Sequence, residues 1–592
     1  MRRHFTEMSP SSMEIVSSVV TRAFVDQDIY ITGAGRGERV LLPGLCLSLL
    51  TVILFQVTAA FAAPEEHIDI SSWEGTATCL RCHETEAQQV FESVHYQWLG
   101  KTPYLVGDGP EVQGKLDVGV NSYCINIKGN WSGCGSCHVG LGARPTKVMT
   151  REQLENIDCL ICHQQGYKRT KVNGVFVPDL PKMNMTMLEA AQMVHKPNRV
   201  TCLQCHAKGG GGDNFKRGDL ALAHGTTVDD SFDVHMATTG GNLSCQGCHT
   251  TENHLMAGRG TDLRPTELDV EMNCTVCHEG KDSTSGHGDS AIGRHVSRVA
   301  CQTCHIPTYA RNATDTSASE ETEIDRDWRF PHLTSSGAIH PTPVMAGEIV
   351  PRYGWWDGRS STYLLYDDAV IDQKTGAIPT SRPVGDISGS SKIYPFKYKT
   401  ATQPLASSFN QLIALDTSVY FSSGNVGAAV ESGLENMGYQ ANEPYEWVQT
   451  DTFQLITHEV SPASEALRCN DCHADSVRIA LKRDLGYGLK GSRSEVCLQC
   501  HGVKDGEDEP EYLWIHEEHV EEESYDCSWC HTFNRPERSL TLPPIIAKIA
   551  NAIRTLRVVI GLPLLDGPED QSGDGRVGLE EAVHYLRDAA GN

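Results

Sequence analysis

Twenty of the 22 cysteines in this chain fall into ten C-x-x-C-H pentapeptides. The first is Cys79, Cys82 and His83; the second is Cys134, Cys137 and His138; the third is Cys159, Cys162 and His163. The next four are Cys202, Cys205 and His206; Cys245, Cys248 and His249; Cys274, Cys277 and His278; and Cys301, Cys304 and His305. After a long interval come Cys469, Cys472 and His473; Cys497, Cys500 and His501; and Cys527, Cys530 and His531. Two thiols three positions apart reach both vinyl groups of one haem as thioethers. The histidine that follows is carried beneath the iron as its proximal ligand. A zinc site pairs one C-x-x-C with two further ligands at a distance and has no need of a histidine directly after the second cysteine. Ten repeats of the full pentapeptide therefore point to ten covalent haems c.

Fifteen of the 25 histidines stand outside these motifs. His4 falls in the leader and His584 near the C-terminus, which leaves thirteen for ten irons. Nine are assigned as distal ligands: His67, His95, His235, His254, His287, His295 and His458, with His516 and His519 for the last two motifs. His195, His224, His332 and His340 remain. An iron held by two histidines is six-coordinate and closed, which suits electron transfer rather than substrate binding. Beyond the leader, Cys124 is the single cysteine outside the motifs.

The elements that position these ligands follow from their density. Seven motifs within residues 79–305 leave about 32 residues each. That is too little protein to wrap each haem separately, so the haems must pack together among short helices and glycine-rich loops such as Gly209–Gly212. That glycine run is not a phosphate-binding loop, since no G-K-[ST] follows it. Residues 306–468 carry no motif. They hold aromatics (Tyr353, Trp355, Trp356, Tyr363, Tyr366, Tyr394, Phe396), and helices are expected around 403–435 as a cover over the haem stack. Near the C-terminus, Ile546, Ile549, Ile553, Leu556 and Ile560 form a helical stripe. Asp570, Ser572, Asp574, Arg576 and Glu581 then stand at positions 1, 3, 5, 7 and 12 of an EF-hand loop, with Gly575 at position 6 and Arg576 contributing its carbonyl. Ca²⁺ is the expected ion.

Val40 to Pro64 contains no charged residue and follows Arg36 and Arg39. Ala60-Phe61-Ala62 completes the pattern of a secretory signal with cleavage after Ala62. The apolar run is also about long enough to span a bilayer as an uncleaved anchor. Export to the periplasm or another extracytoplasmic space is the expected destination. The formal charge of −26, from 76 acidic and 50 basic side chains, disfavours nucleic acid or an anionic membrane surface as a partner.

The words between the motifs are more specific than the motifs. Asn121-Ser-Tyr-Cys124-Ile-Asn, Asp158-Cys-Leu-Ile-Cys-His163 with Tyr167-Lys168, and Gly209-Gly-Gly-Gly-Asp213 with Gly218-Asp-Leu220 are three of them. Others are Asp233-Val-His-Met236, Lys392-Ile-Tyr-Pro-Phe-Lys397 and His458-Glu-Val-Ser-Pro462. Over residues 65–480 the chain resembles the octahaem tetrathionate reductase family of c-type cytochromes. The resemblance implies a mostly helical fold, with haem packing shared by hydroxylamine oxidoreductases and pentahaem nitrite reductases. It also implies one catalytic haem with a lysine ligand. Cys134–His138 matches that haem, Lys168 matches the lysine, and Cys124 matches a cysteine of the same pocket. Three departures stand out. Gln164-Gln165-Gly166 lacks the family's acidic residue, and Arg217 replaces a family histidine, for which His224 is a substitute. Two motifs and the EF-hand extend beyond the family core.

The expected architecture is thus a mostly α multihaem cytochrome c with sparse regular secondary structure and haems packed together, followed by a small α-helical EF-hand domain. The expected divisions are a signal peptide (1–62), a seven-haem region (63–310), a haem-free cover with helices (311–460), a three-haem region (461–540) and a dockerin-like EF-hand domain (541–592). The expected activity is multielectron reduction of a small sulfur or nitrogen oxyanion, such as tetrathionate or nitrite, or of hydroxylamine, with Lys168 and Cys124 at the catalytic haem. The alternative is an electron conduit without a substrate. Partners would be electron-donor or electron-acceptor proteins or quinol-linked cytochromes, with a homo-oligomer also compatible.

Overall fold

The computed structural model describes residues 65–468 except 122, 124–125, 173–174, 208, 216–219, 259–266, 269, 284, 289, 317–319 and 388–389. Beyond 468 it describes only 471–472, 478–479, 485, 488–489, 519, 530–532, 552, 556, 579, 582–583 and 586–587. The chain divides between Ala62 and Ala63, and the expected signal peptide lies outside the described residues.

From Glu65 to His305 the helices are short, the longest being Glu84–Glu92. Glycine and proline interrupt the chain too often for longer ones. Their starts are nevertheless well defined. Asn198 and Thr201 form a reciprocal capping box before Arg199–His206, Thr186 and Glu189 do the same before Met187–Gln192, and Thr150 caps Arg151–Glu155. One apolar core gathers Leu80, Phe91, Tyr96, Leu154, Ile157, Leu160, Tyr167 and Met183 between the first three motifs.

Residues 322–455 form a mixed eight-stranded sheet, and here the mostly helical expectation is corrected. Its strands are β1 (Thr322–Leu333), β2 (Ile339–Ala346), β3 (Arg352–Trp356), β4 (Arg359–Thr362), β5 (Ile378–Val384), β6 (Lys392–Ala406), β7 (Gln411–Leu412) and β8 (Tyr445–Leu455). The order is β4-β5-β8-β6-β1-β2, with β3 and β7 also paired to β6. The long strand β6 is the axis. It runs antiparallel to β8 from Phe396↔Leu455 to Ala406↔Tyr445 and parallel to β1 at Thr400↔Asp325.

The helices expected around 403–435 begin later. Residues 403–406 belong to β6, and the helices are α1 (Thr417–Ser423) and α2 (Val426–Met437). The sequence KIYPFKYKTATQPLA is rich in aromatic and β-branched residues, which fit a pleated surface. β6 is buried along both faces, so no alternation of apolar and polar residues marks it. Asp416 and Asn425 cap the two helices, and Gly424 and Gly438 close them in the left-handed conformation at φ 66° and 91°.

The sheet also seats the second motif. The helix Ile127–Cys134 runs directly into Cys134, and its Gly129 lies against the carbonyls of Ala414 and Leu415, where a Cβ would stand 2.6 Å from either oxygen. Val120 and Tyr123 belong to the same core as Trp328, Leu412, Tyr420 and Leu434. Among the described residues no helix is long and apolar enough to cross a membrane.

The loop before Met236 is fastened by Asp229. Its carboxylate accepts from the Thr314 amide and hydroxyl, each at 2.8 Å, and from the Ser231 hydroxyl at 2.6 Å. Burial alone would raise this acid, but the hydrogen bonds from Ser231, Thr314 and Phe232 outweigh it and hold the pKa down at about 2. The folded value lies below the unfolded one of about 3.9. The contribution to stability is therefore present above about pH 4 and is lost as the pH falls toward 2. Asp229→Asn is expected to lower the urea midpoint at neutral pH, with the gap to wild type closing between about pH 4 and pH 2. A gap that stays constant over that range would show that the carboxylate charge does not hold the loop.

Candidate haem sites

In Arg199–His206 and Cys301–His305 the motif itself is helical. A helical turn brings residues i, i+3 and i+4 to one side, which sets both thiols and the histidine toward one plane. Backbone carbonyls then orient the rings. His163 Nδ1 donates to the His195 carbonyl at 3.0 Å, and His249 Nδ1 donates to the Ala257 carbonyl at 2.9 Å. Each leaves Nε2 available to a metal.

Two imidazoles ligating one iron from opposite sides, with metal–nitrogen bonds of about 2 Å, have ring centres about 6.3 Å apart. Five motif histidines meet this requirement with a histidine from elsewhere. The pairs are His83 with His67 at 5.9 Å, His206 with His95 at 6.3 Å, and His163 with His254 at 6.4 Å. His278 pairs with His235 at 6.0 Å and His249 with His458 at 6.3 Å. The residues thus fit haem, each of these five motif histidines having an imidazole from elsewhere at that separation. His305 stands close enough to His287 that, after burial, His287 is the main influence lowering its pKa. Separation alone is not diagnostic: His332 and His340 face each other at 6.0 Å across β1 and β2, remote from any motif in sequence. His224 also lies 6.3 Å from His458, but it is fully buried, held at Nδ1 by the Ala221 backbone, with Asp233 3.5 Å from Nε2. It therefore packs against His458 from the side away from solvent. His295 closes the helix Ser290–His295, where its carbonyl accepts from the Arg298 and Val299 amides.

The first cysteines of three motif pairs touch. Cys79 hydrogen-bonds Cys159, Cys202 hydrogen-bonds Cys245, and Cys274 hydrogen-bonds Cys301. Motifs one and three, four and five, and six and seven therefore lie side by side. Cys137 of the second motif approaches the Cys205 carbonyl at 4.0 Å. Haems held at these motifs would have closely spaced attachment points.

The second motif is different. His138 is almost completely buried, and burial pushes its pKa down to about 4. Among the described residues no other imidazole packs against it. Its ring lies instead within Tyr96, Trp98 and Trp131, at 5.0, 5.1 and 5.3 Å. His138 Nε2 donates to the Tyr96 carbonyl at 2.8 Å, so ligation through Nε2 requires the ring to leave that bond. Lys168 is partly buried just before the hairpin Arg169–Val172 and Val175–Pro178, and its carbonyl accepts from the Asp179 amide at 2.8 Å.

Cys124 lies outside the described residues. So do Cys469, His473, Cys497, Cys500, His501, His516, Cys527 and the EF-hand positions Asp570, Ser572, Asp574, Arg576 and Glu581; His519 is described, partly buried. Sequence reasoning missed the aromatic cage of His138, Arg169 with Asp158, and a buried group around Tyr123. In that group Arg326 forms a two-pronged ion pair with Glu323 and stacks over Tyr123 at 4.4 Å. The available signal was the placement of Asp158 and Arg169 beside Cys159 and Lys168.

A family model described as bacterial cytochrome c matches residues 341–476. An uncharacterized protein of Archaeoglobus fulgidus is 30% identical, over 33% of this chain and 80% of the relative. The octaheme cytochrome c of Shewanella oneidensis, a solved structure, superposes with a TM-score of 0.59 at 28% identity, over 71% of this chain and 96% of that one. Together with the paired histidines, these likenesses define a multihaem c-type cytochrome with covalently bound haem c. The chain belongs to one family with the Archaeoglobus fulgidus protein.

Proposed function

We propose that this chain is an exported decahaem cytochrome that reduces a small sulfur or nitrogen oxyanion, or hydroxylamine, at the second haem, with Lys168 as its labile ligand. The observation that carries this reading is the contrast between His138, which no other imidazole accompanies among the described residues, and the five motif histidines paired at single-iron separation. Haem c supplies one-electron steps at each iron. The residues do the rest. The histidine pairs would hold their haems with both axial positions filled, the cage of Tyr96, Trp98 and Trp131 shields His138 from water, and Lys168 would be the group that gives way to substrate, with Cys124 contacting it. An amine ligates only in its neutral form, so protonation competes with the metal. That makes lysine easier to displace than imidazole.

Titrating the oxidised holoprotein with nitrite, hydroxylamine or tetrathionate should perturb one haem, and the reduced protein should be reoxidised by the same compound. If none perturbs a haem or accepts electrons, the conduit reading replaces the enzyme; the closed histidine pairs are what favour it. Intact mass should show ten haem additions.

The EF-hand reading gives a separate expectation. The C-terminal segment should bind Ca²⁺, and Asp570→Ala with Glu581→Ala should abolish the binding seen by calorimetry. Unchanged binding would remove the EF-hand.

A further inference from the structure

We propose that Arg169 is a positioning residue for the second haem site, holding the root of Lys168 against the backbone of the Cys134–His138 motif. This rests on Lys168 being the ligand. The Arg169 guanidinium donates to the Ser136 and Gly140 carbonyls at 3.0 Å each and reaches the His138 carbonyl at 3.4–3.5 Å. Its charge is met by Asp158 at 3.1 Å, with both side chains almost wholly buried. Asp158 in turn accepts from the Tyr167 hydroxyl, so the residues on both sides of Lys168 are anchored in one network. The hairpin that Arg169 opens packs on the same motif. Phe176 lies beneath the guanidinium at 5.3 Å and covers Gly135, where a Cβ would stand 2.7 Å from its ring.

The physical need is specific. Lysine carries its amine on a flexible four-carbon stem, and fixing it on a metal costs conformational entropy. A clamped backbone one residue away reduces that cost without tightening the metal–amine bond, which leaves the ligand displaceable. The planar fork of arginine spans several carbonyls at once; a lysine ammonium in its place does not.

The test compares Arg169→Lys and Arg169→Gln with Lys168→Met in the full holoprotein. The readouts are haem count by mass, low-temperature EPR, and nitrite kinetics with a reduced dye as donor. Arg169→Lys should keep the haem count, broaden or shift the EPR signal of one haem, and lower kcat about 10-fold with little change in KM. Arg169→Gln should do the same more strongly. If Lys168→Met leaves every EPR signal unchanged, lysine ligation itself is wrong. If Lys168→Met alters one signal while both Arg169 variants match wild type, the positioning role is wrong and the ligation stands. Loss of one haem by mass in Arg169→Lys would make Arg169 a determinant of motif folding instead, and would also overturn the proposal.

Discussion

Replacing Lys168 with methionine is expected to change the spectrum of one haem only and to lower reductase turnover by about 100-fold or more. The thioether matches the lysine stem in length and shape, so packing of the turn Gln164–Lys168 is preserved. What changes, on the proposed reading, is the ligand. A thioether does not protonate, so the competition between proton and metal that frees an amine disappears. Cys124→Ala should leave the haem spectra intact and lower turnover, because a thiol that contacts substrate is not needed to hold the iron. The paired measurement separates ligation from substrate contact. Wild-type behaviour of both variants toward tetrathionate, nitrite and hydroxylamine would remove the catalytic assignment.

The second large effect is on stability. Glu323 and Arg326 meet at 2.6 Å through two hydrogen bonds, with side chains 0% and 5% exposed. The guanidinium is stacked near Tyr123, Phe215 and Trp328, and it donates to the Gly210 carbonyl at 3.2 Å. Glu323→Gln leaves a buried cation without its counter-charge, a loss of about 3–5 kcal/mol. Pairing it with Arg326→Met should recover a large part of that loss, because the unpaired charge is then gone. Chemical denaturation of the four proteins of this cycle measures the coupling. A loss under about 1 kcal/mol for Glu323→Gln alone would mean that water or another anion reaches the guanidinium. The same change should disturb the segment that carries Cys124, since Tyr123 is held beneath Arg326.

Local spacing made the haem attachment legible. A C-x-x-C-H segment needs nothing beyond its own turn to present two thiols and an imidazole, so the motif is complete in five residues. The sheet was not legible because its axis, β6, breaks the usual rule. Lys397, Lys399, Thr402 and Gln403 are buried in the same strand as Phe396 and Leu405, and their polar atoms find partners on other segments. Lys397 donates to the Asn214 carbonyl and Lys399 to the Phe215 carbonyl. A strand whose polar residues face inward looks amphipathic in no period, and the short helices after it were read too far upstream.

The sequence by itself determined the cofactor chemistry, the surplus of imidazoles and the region without motifs, because each depends on residue type and short spacing. Only the tertiary structure shows which imidazole lies beside which motif histidine. His254 reaches His163 across 91 positions, and His458 reaches His249 across 209. Contacts at that range depend on how the chain is folded over the sheet, and no local period records them. The same holds for the second motif. Its difference lies in what surrounds His138, namely Tyr96, Trp98 and Trp131 with Arg169 on the backbone. Those residues are drawn together by burial and hydrogen bonding from three separate stretches of the chain.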